Sequence, residues 1–216
     1  MRHLLIFIFL TSINFNLYSQ VAQNDNYQFF IDLNKVENDR LTIELITPVI
    51  SSDNVSYRLP AMVPGTYKIY NFGRFISDFK AFDNAGNELT VTKGDVNTWE
   101  ISDATKLYKI TYKADDTFED TTGNPIFEPA GTSIEEGKIF VFNNHGFFGY
   151  LDGYIRNDYT LTFDKPAGFF GSTSLDALER TGTKDIYTSP DYQFLVDNPI
   201  FFNLPDTATI NFDEAK

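Results

Sequence analysis

Polar and apolar residues alternate with a period of two along most of the chain. Residues 28–33 and 41–46 alternate on either side of Asn38-Asp39, which is a hairpin signal because residues two apart share one face of a strand. Residues 55–59 and 67–72 alternate again around Pro60, Pro64 and Gly65. Pro60 fixes its own φ and extends Leu59, and Pro64-Gly65 suits a type II turn. The stretch from Pro60 to Tyr67 therefore predicts a rigid structural corner between two strands. Residues 76–82 lead into a turn at 83–87, and strands are expected at 89–92, 98–101, 108–112, 138–142 and 159–163. Residues 208–212 alternate once more near the end. This spacing predicts an all-β fold of sandwich-like antiparallel sheets with one or two short helices. One helix is predicted over 192–196, with Ser189 as N-cap, Pro190 at the first helical position, Asp191 in the first turn and Pro199 closing it. Residues 175–180 are a second helical candidate.

Two stretches break the alternation. Residues 114–137 hold Asp115, Asp116, Glu119, Asp120, Glu128, Glu135 and Glu136 among Gly123, Pro125, Pro129 and Gly131. This reads as a long acidic loop, the part expected to move most. Residues 143–150 form a glycine-hinged aromatic loop. Its Asn144, His145, Phe147, Phe148 and Tyr150 are the candidates for an interface or substrate contact, with the rings taken as exposed.

The N-terminus changes the compartment. Met1-Arg2-His3 is followed by an apolar run over 4–10 and by Ser19 before Gln20, the pattern of a signal peptide spanning 1–19. The run is too short to span a bilayer. The mature chain, 20–216, is expected to be exported, periplasmic or extracellular, without a membrane span. Phe 22 and Tyr 12 against Met 2 and Cys 0 favour strands and rule out disulfides. A net charge of −13 disfavours nucleic acid as a partner.

The chemical inventory is narrow. His3 lies in the signal, so His145 is the mature chain's one histidine, and there is no cysteine with which to complete a zinc site. The sequence contains no H-E-x-x-H, no G-x-S-x-G and no glycine-rich phosphate loop. His145 reads first as a hydrogen-bonded loop histidine and only then as a ligand contact. Asp83, Asn84, Asn87 and Glu88, and separately Asp115, Asp116, Glu119 and Asp120, offer oxygen ligands without calcium-loop spacing. Asn54-Val55-Ser56 is a glycosylation sequon by pattern. No catalytic, cofactor or metal residue is assigned.

Leu59-Pro60-Ala61-Met62-Val63-Pro64-Gly65-Thr66-Tyr67, followed by Asn71-Phe72-Gly73-Arg74-Phe75, resembles the signature of the N-terminal domain of the glycyl aminopeptidase family, secreted zinc metallopeptidases with a PDZ domain. Met62 departs from the more usual residue at its position. Phe79-Lys80-Ala81, Gly86, Lys93, Thr98-Trp99 and residues 110–114 continue the match, as do Asn144-His145-Gly146, Phe148-Gly149-Tyr150 and residues 195–200. The resemblance covers roughly the whole mature chain. It implies a β-rich domain preceding a thermolysin-like catalytic domain, which carries the zinc and the general base. No residue here matches those positions.

The expectation is a non-catalytic N-terminal domain, cut short at its C-terminal end, that packs on a catalytic domain and helps to shape its substrate cleft. The rival is a standalone exported module that binds peptide or sugar through exposed rings. An independent hydrolase is disfavoured by the missing metal ligands.

Overall fold

The computed structural model describes residues 25–206. The signal segment and the alternation at 208–212 lie outside the described residues. In chain order the first elements are β1 (Tyr27–Val36), β2 (Arg40–Ile46), β3 (Asn54–Arg58), β4 (Ile76–Asp83), β5 (Val91–Lys93), β6 (Thr98–Ser102) and β7 (Leu107–Asp115). Then come β8 (Ser133–Glu135), β9 (Ile139–Phe142), β10 (Tyr150–Leu151), β11 (Tyr159–Asp164), β12 (Phe170–Ser172), β13 (Asp176–Arg180) and β14 (Lys184–Ser189). The helix α1 (Tyr192–Val196) and β15 (Ile200–Asn203) follow.

Seven strands form one sheet in the order β13-β14-β11-β1-β2-β7-β4. Two four-stranded sheets, β10-β3-β6-β5 and β12-β15-β9-β8, cover its inner face side by side. Ring contacts define the two layers. Tyr57 of β3 meets Tyr112 of β7 and Phe79 of β4, with centroids at 5.8 and 5.3 Å. Phe163 of β11 meets Phe142 of β9 and Phe202 of β15, at 5.9 and 4.9 Å. Every second residue from Tyr27 to Leu33 in β1 and from Leu41 to Leu45 in β2 is buried, so the alternation in the sequence is the core face of the large sheet. Its outer face is laced with ion pairs, such as Lys109–Glu44 and Lys113–Glu37. The architecture is thus an all-β sandwich whose second layer is split in two.

The connector between β9 and β10 joins the two halves of that layer, and four buried tyrosines hold it. Gly149 N–H donates to the Tyr57 hydroxyl at 2.9 Å, Tyr57 donates to Tyr112 at 3.0 Å, and Tyr112 donates to the Phe147 carbonyl at 2.9 Å. Tyr192 donates to the Phe148 carbonyl at 2.8 Å, and Tyr27 accepts from Leu151 N–H at 2.9 Å. Backbone groups buried here have no water, so the hydroxyls supply the partners that strand pairing would give elsewhere.

Several expectations are corrected. Residues 67–72 are not a strand: the N–H groups of Tyr70, Asn71 and Phe72 are used inside the corner, on the Ala61 and Pro60 carbonyls. Of the helical candidate 175–180, residues 176–180 are strand β13, paired antiparallel with β14. Strand formation wins there because the edge of the large sheet offers a ladder that an isolated five-residue helix cannot match. Among the described strands one pairing is parallel, β1 with β11. The strand expected at 89–92 runs from Val91 to Lys93. Helix α1 is capped by Asp191, whose carboxylate accepts Phe194 N–H at 2.7 Å, and not by Ser189. The 114–137 stretch is not loop throughout: it begins with the end of β7 and holds a 3₁₀ turn at Glu128–Ala130 and β8, and Asp116 accepts the N–H groups of Phe118 and Ile134.

Replacing Tyr112 by Phe removes the partner of the Phe147 carbonyl and of the Tyr57 hydroxyl, and we expect a loss of about 1–3 kcal/mol in urea unfolding. Burial pushes the Tyr27, Tyr57, Tyr112 and Tyr192 hydroxyls above their ordinary value. A raised folded value stabilises the protein below the unfolded tyrosine pKa of about 10 and loses that stabilisation as pH rises beyond it. Stability measured against pH should therefore fall on the alkaline side of about 10, and less steeply in the Tyr112→Phe chain.

Candidate functional site

The corner begins where β3 ends. Thr66 N–H donates to the Val63 carbonyl at 3.2 Å and Gly65 has φ 85°, which fits the type II turn expected at Pro64-Gly65. Tyr67 and Asn71 then both adopt left-handed backbone, with φ 54° and 57°. For a tyrosine this is a strained conformation. Tyr70 and Asn71 N–H groups both donate to the Ala61 carbonyl, at 2.7 and 2.9 Å, so the segment folds back on Pro60-Ala61 before the 3₁₀ turn Phe72–Phe75.

Arg74 pins the corner to the acidic stretch. Its Nε donates to the Tyr70 carbonyl at 3.0 Å, and its terminal nitrogens reach Asp120 at 2.7 Å, and Thr122 and the Asn124 carbonyl at 2.6 Å each. Burial raises the Asp120 carboxyl, but the Thr122 N–H and hydroxyl together with Arg74 outweigh it and hold it below the ordinary carboxylate value. Beneath the ion pair a second small core gathers Tyr70, Phe72, Phe75, Ile126 and Ala130. Asn97 accepts Gly73 N–H at 3.0 Å and donates to the Asn71 side chain at 3.0 Å. A side chain on Gly73 would collide with the Val96 carbonyl.

The structure brings the two predicted features together. Phe72 lies over the connector, where a Cβ on Gly146 would come within 2.8 Å of its ring, and Gly149 packs against Tyr57 and the Arg58 carbonyl. It does not expose the connector's rings. Phe147 and Phe148 are fully buried, which corrects the expectation that a ligand could stack on them. His145 is buried with Nδ1 3.1 Å from the Asn143 side-chain oxygen, and burial lowers its pKa against the opposing charge of Asp197. Asn144 donates to the Leu195 and Asn198 carbonyls, at 2.8 and 2.7 Å, tying the connector to α1. Tyr150 is half-buried, 4.8 Å from the Tyr192 ring.

What reaches solvent is the corner itself. Tyr67 is 95% exposed, Ile69 and, in the acidic stretch, Phe127 are each 59% exposed, and Met62 is 44% exposed. Among the described residues no group of three His, Cys, Asp or Glu side chains is arranged to hold a metal. Asp83 instead caps a turn by accepting Ala85 and Asn87 N–H groups, and Asp115 pairs with Arg40. Arg74, Gly73 and Asn97 carry no expected role in the sequence reading. The available signal was an arginine three residues after a left-handed-prone asparagine, in a stretch, 54–77, without a carboxylate.

Replacing Arg74 by Met leaves the Asp120 carboxylate buried without its partner, and about 3 kcal/mol of stability should be lost in denaturant unfolding. Gly73→Ala should cost about 2 kcal/mol through the clash with Val96. Tyr67→Gly should leave stability unchanged or raise it by up to ~1 kcal/mol, because the exposed ring packs on little and its backbone strain is relieved. A large loss in the last variant would show that the ring supports the fold.

No curated protein matches the chain. Among solved structures, an aminopeptidase N family protein from Idiomarina loihiensis is similar with a TM-score of 0.70 and 17% identity, over 82% of this chain and 29% of that one. An M1 zinc metallopeptidase from Deinococcus radiodurans gives a TM-score of 0.46 at 12% identity, over 84% of this chain and 42% of that one. The likeness to the first is one of fold, and this chain spans less than a third of that protein's length. Residues 28–203 match the peptidase M61 N-terminal domain, and the chain belongs to that family.

Proposed function

We propose that this chain is the non-catalytic N-terminal domain of a secreted metallo-aminopeptidase. It packs on a thermolysin-like catalytic domain and helps to shape the cleft that receives the substrate's amino end. The zinc and the general base belong to that catalytic domain. The observation that carries this reading is the family match over 28–203 in a chain whose mature part has one histidine, no cysteine and no H-E-x-x-H. Export rests on the signal pattern of residues 1–19.

The exposed corner is the face we assign to the contact with the catalytic domain. Its apolar tip is held by Arg74 in a fixed shape, so little ordering entropy is lost on docking. The rival reading, a binding module that stacks a sugar or peptide on Phe147 and Phe148, is weakened by their burial.

The test is the reading frame beyond the codon for Lys216. We expect an H-E-x-x-H segment in frame, and a longer product that hydrolyses glycyl or alanyl substrates and loses that activity with a chelator. The isolated chain should hydrolyse neither substrate. Chelator-resistant turnover by the isolated chain would overturn the proposal, as would a stop codon with no peptidase segment after it.

A further inference from the structure

The tip of the corner is Tyr67-Lys68-Ile69, and residues 124–125 staple it from one side. Lys68 Nζ donates to the Pro125 carbonyl at 2.9 Å, and the Ile69 carbonyl accepts from the Asn124 side chain at 3.2 Å. The Lys68 ammonium stands 5.5 Å from the ring of the buried Tyr70, yet its own side chain is exposed. Among the described residues no carboxylate pairs with it, and two of its three N–H groups have no partner.

Strain and charge both single out this tip. Tyr67 has φ 54°, a conformation that glycine takes freely and tyrosine only under strain. Its ring is almost wholly exposed, so the fold gains little from the side chain that causes the strain. Three cations lie between residues 54 and 77, in a chain whose net charge is −13. Arg58 is answered by Asp152 and Arg74 by Asp120, and Lys68 is left open between two exposed apolar side chains.

We propose that Tyr67, Lys68 and Ile69 are the docking determinants of the corner, and that they fit a protein surface with an apolar pocket edged by a carboxylate. That surface belongs to the catalytic domain, an assignment that rests on the function proposed above. Tyr67 and Ile69 leave water for the pocket. Lys68 keeps its bond to Pro125 and gives a free N–H to the carboxylate, and because the amine is already held, little side-chain freedom is lost. The carboxylate is required because a cation covered by an apolar surface without a partner loses its hydration for nothing. A second copy of this corner does not fit, since it offers no Asp or Glu between 54 and 77 and would set Lys68 against Lys68.

The test labels this chain and the longer product read through the Lys216 codon, with tetranitromethane for tyrosine and an acetyl N-hydroxysuccinimide ester for lysine, and maps the peptides. Tyr67 and Lys68 are open in this chain. In the longer product each should react at least ~10-fold more slowly, because a docking determinant is desolvated. Lys68→Glu in the longer product should return Tyr67 nitration to the rate of this chain, through like-charge repulsion, and Lys68→Arg should keep it slow. Equal labelling of Tyr67 and Lys68 in the two proteins overturns the proposal and leaves the function proposed above standing. Protection that survives Lys68→Glu also overturns it. Tyr67 nitration in this chain that slows as protein concentration rises assigns the face to a second copy and overturns it too. A frame with no peptidase segment after Lys216 overturns both readings.

Discussion

The split second layer depends on one chain of hydrogen bonds. It runs from Gly149 N–H through the Tyr57 and Tyr112 hydroxyls to the Phe147 carbonyl, and every atom in it is buried. A layer made of two separate small sheets leaves a seam, and the chain must cross it from β9 to β10 without a partner strand. The crossing backbone would be stranded without water, at a cost comparable to its lost hydrogen bonds. Tyrosine suits the task because its ring fills the core while its hydroxyl reaches the seam. The same residue that packs β3 on β7 therefore also fixes the connector.

The connector in turn supports the corner. Gly146 leaves room for Phe72, and Gly149 leaves room for Tyr57 and the end of β3. The corner can then hold two left-handed non-glycine residues, because Asn97, Arg74 and the Ala61 carbonyl fix it from three sides. Strain of this kind persists only where the surroundings over-determine the backbone. A strained loop with its apolar tip outward has a fixed shape before it meets anything. That is the link from packing to the docking role proposed for it.

Much of this was legible in the alternation. The β1–β2 hairpin, β4, β6, β7, β9 and β11 each stand where a two-residue period meets turn residues, and in β1, β2, β7 and β11 that period is an alternation of buried and more exposed positions. The type II turn was legible because glycine at positive φ is a local requirement. Residues 67–72 misled for a physical reason. Tyr70 and Phe72 stand on either side of Asn71 as in a strand, but they are buried in a small separate core under Arg74, and that core depends on residues 120–130. The burial of Phe147 and Phe148 was equally hidden. A glycine-rich aromatic loop looks like a surface feature until distant tyrosines supply its hydrogen bonds, as Tyr57 does across 92 residues. Parallel pairing of β1 with β11 left no local mark either, since register between strands so far apart is set by the core alone.

Charge gives the last step. The chain carries −13, yet between Asp53 and Asp78 there is no Asp or Glu, while Arg58, Lys68 and Arg74 all fall there. Two of these cations are answered by carboxylates from elsewhere, Arg58 by Asp152 and Arg74 by Asp120. Lys68 reaches only a carbonyl and an aromatic face. The corner is therefore an apolar projection whose own segment, 54–77, carries no carboxylate. Elsewhere a neighbouring domain would have to desolvate interleaved ion pairs such as those on the outer face of the large sheet, and that desolvation returns little. At the corner it would cover Tyr67, Ile69, Met62 and Phe127, whose burial is favourable in proportion to their area. The same tyrosine-held connector that closes the core thus also fixes the shape of the corner proposed above as a docking face.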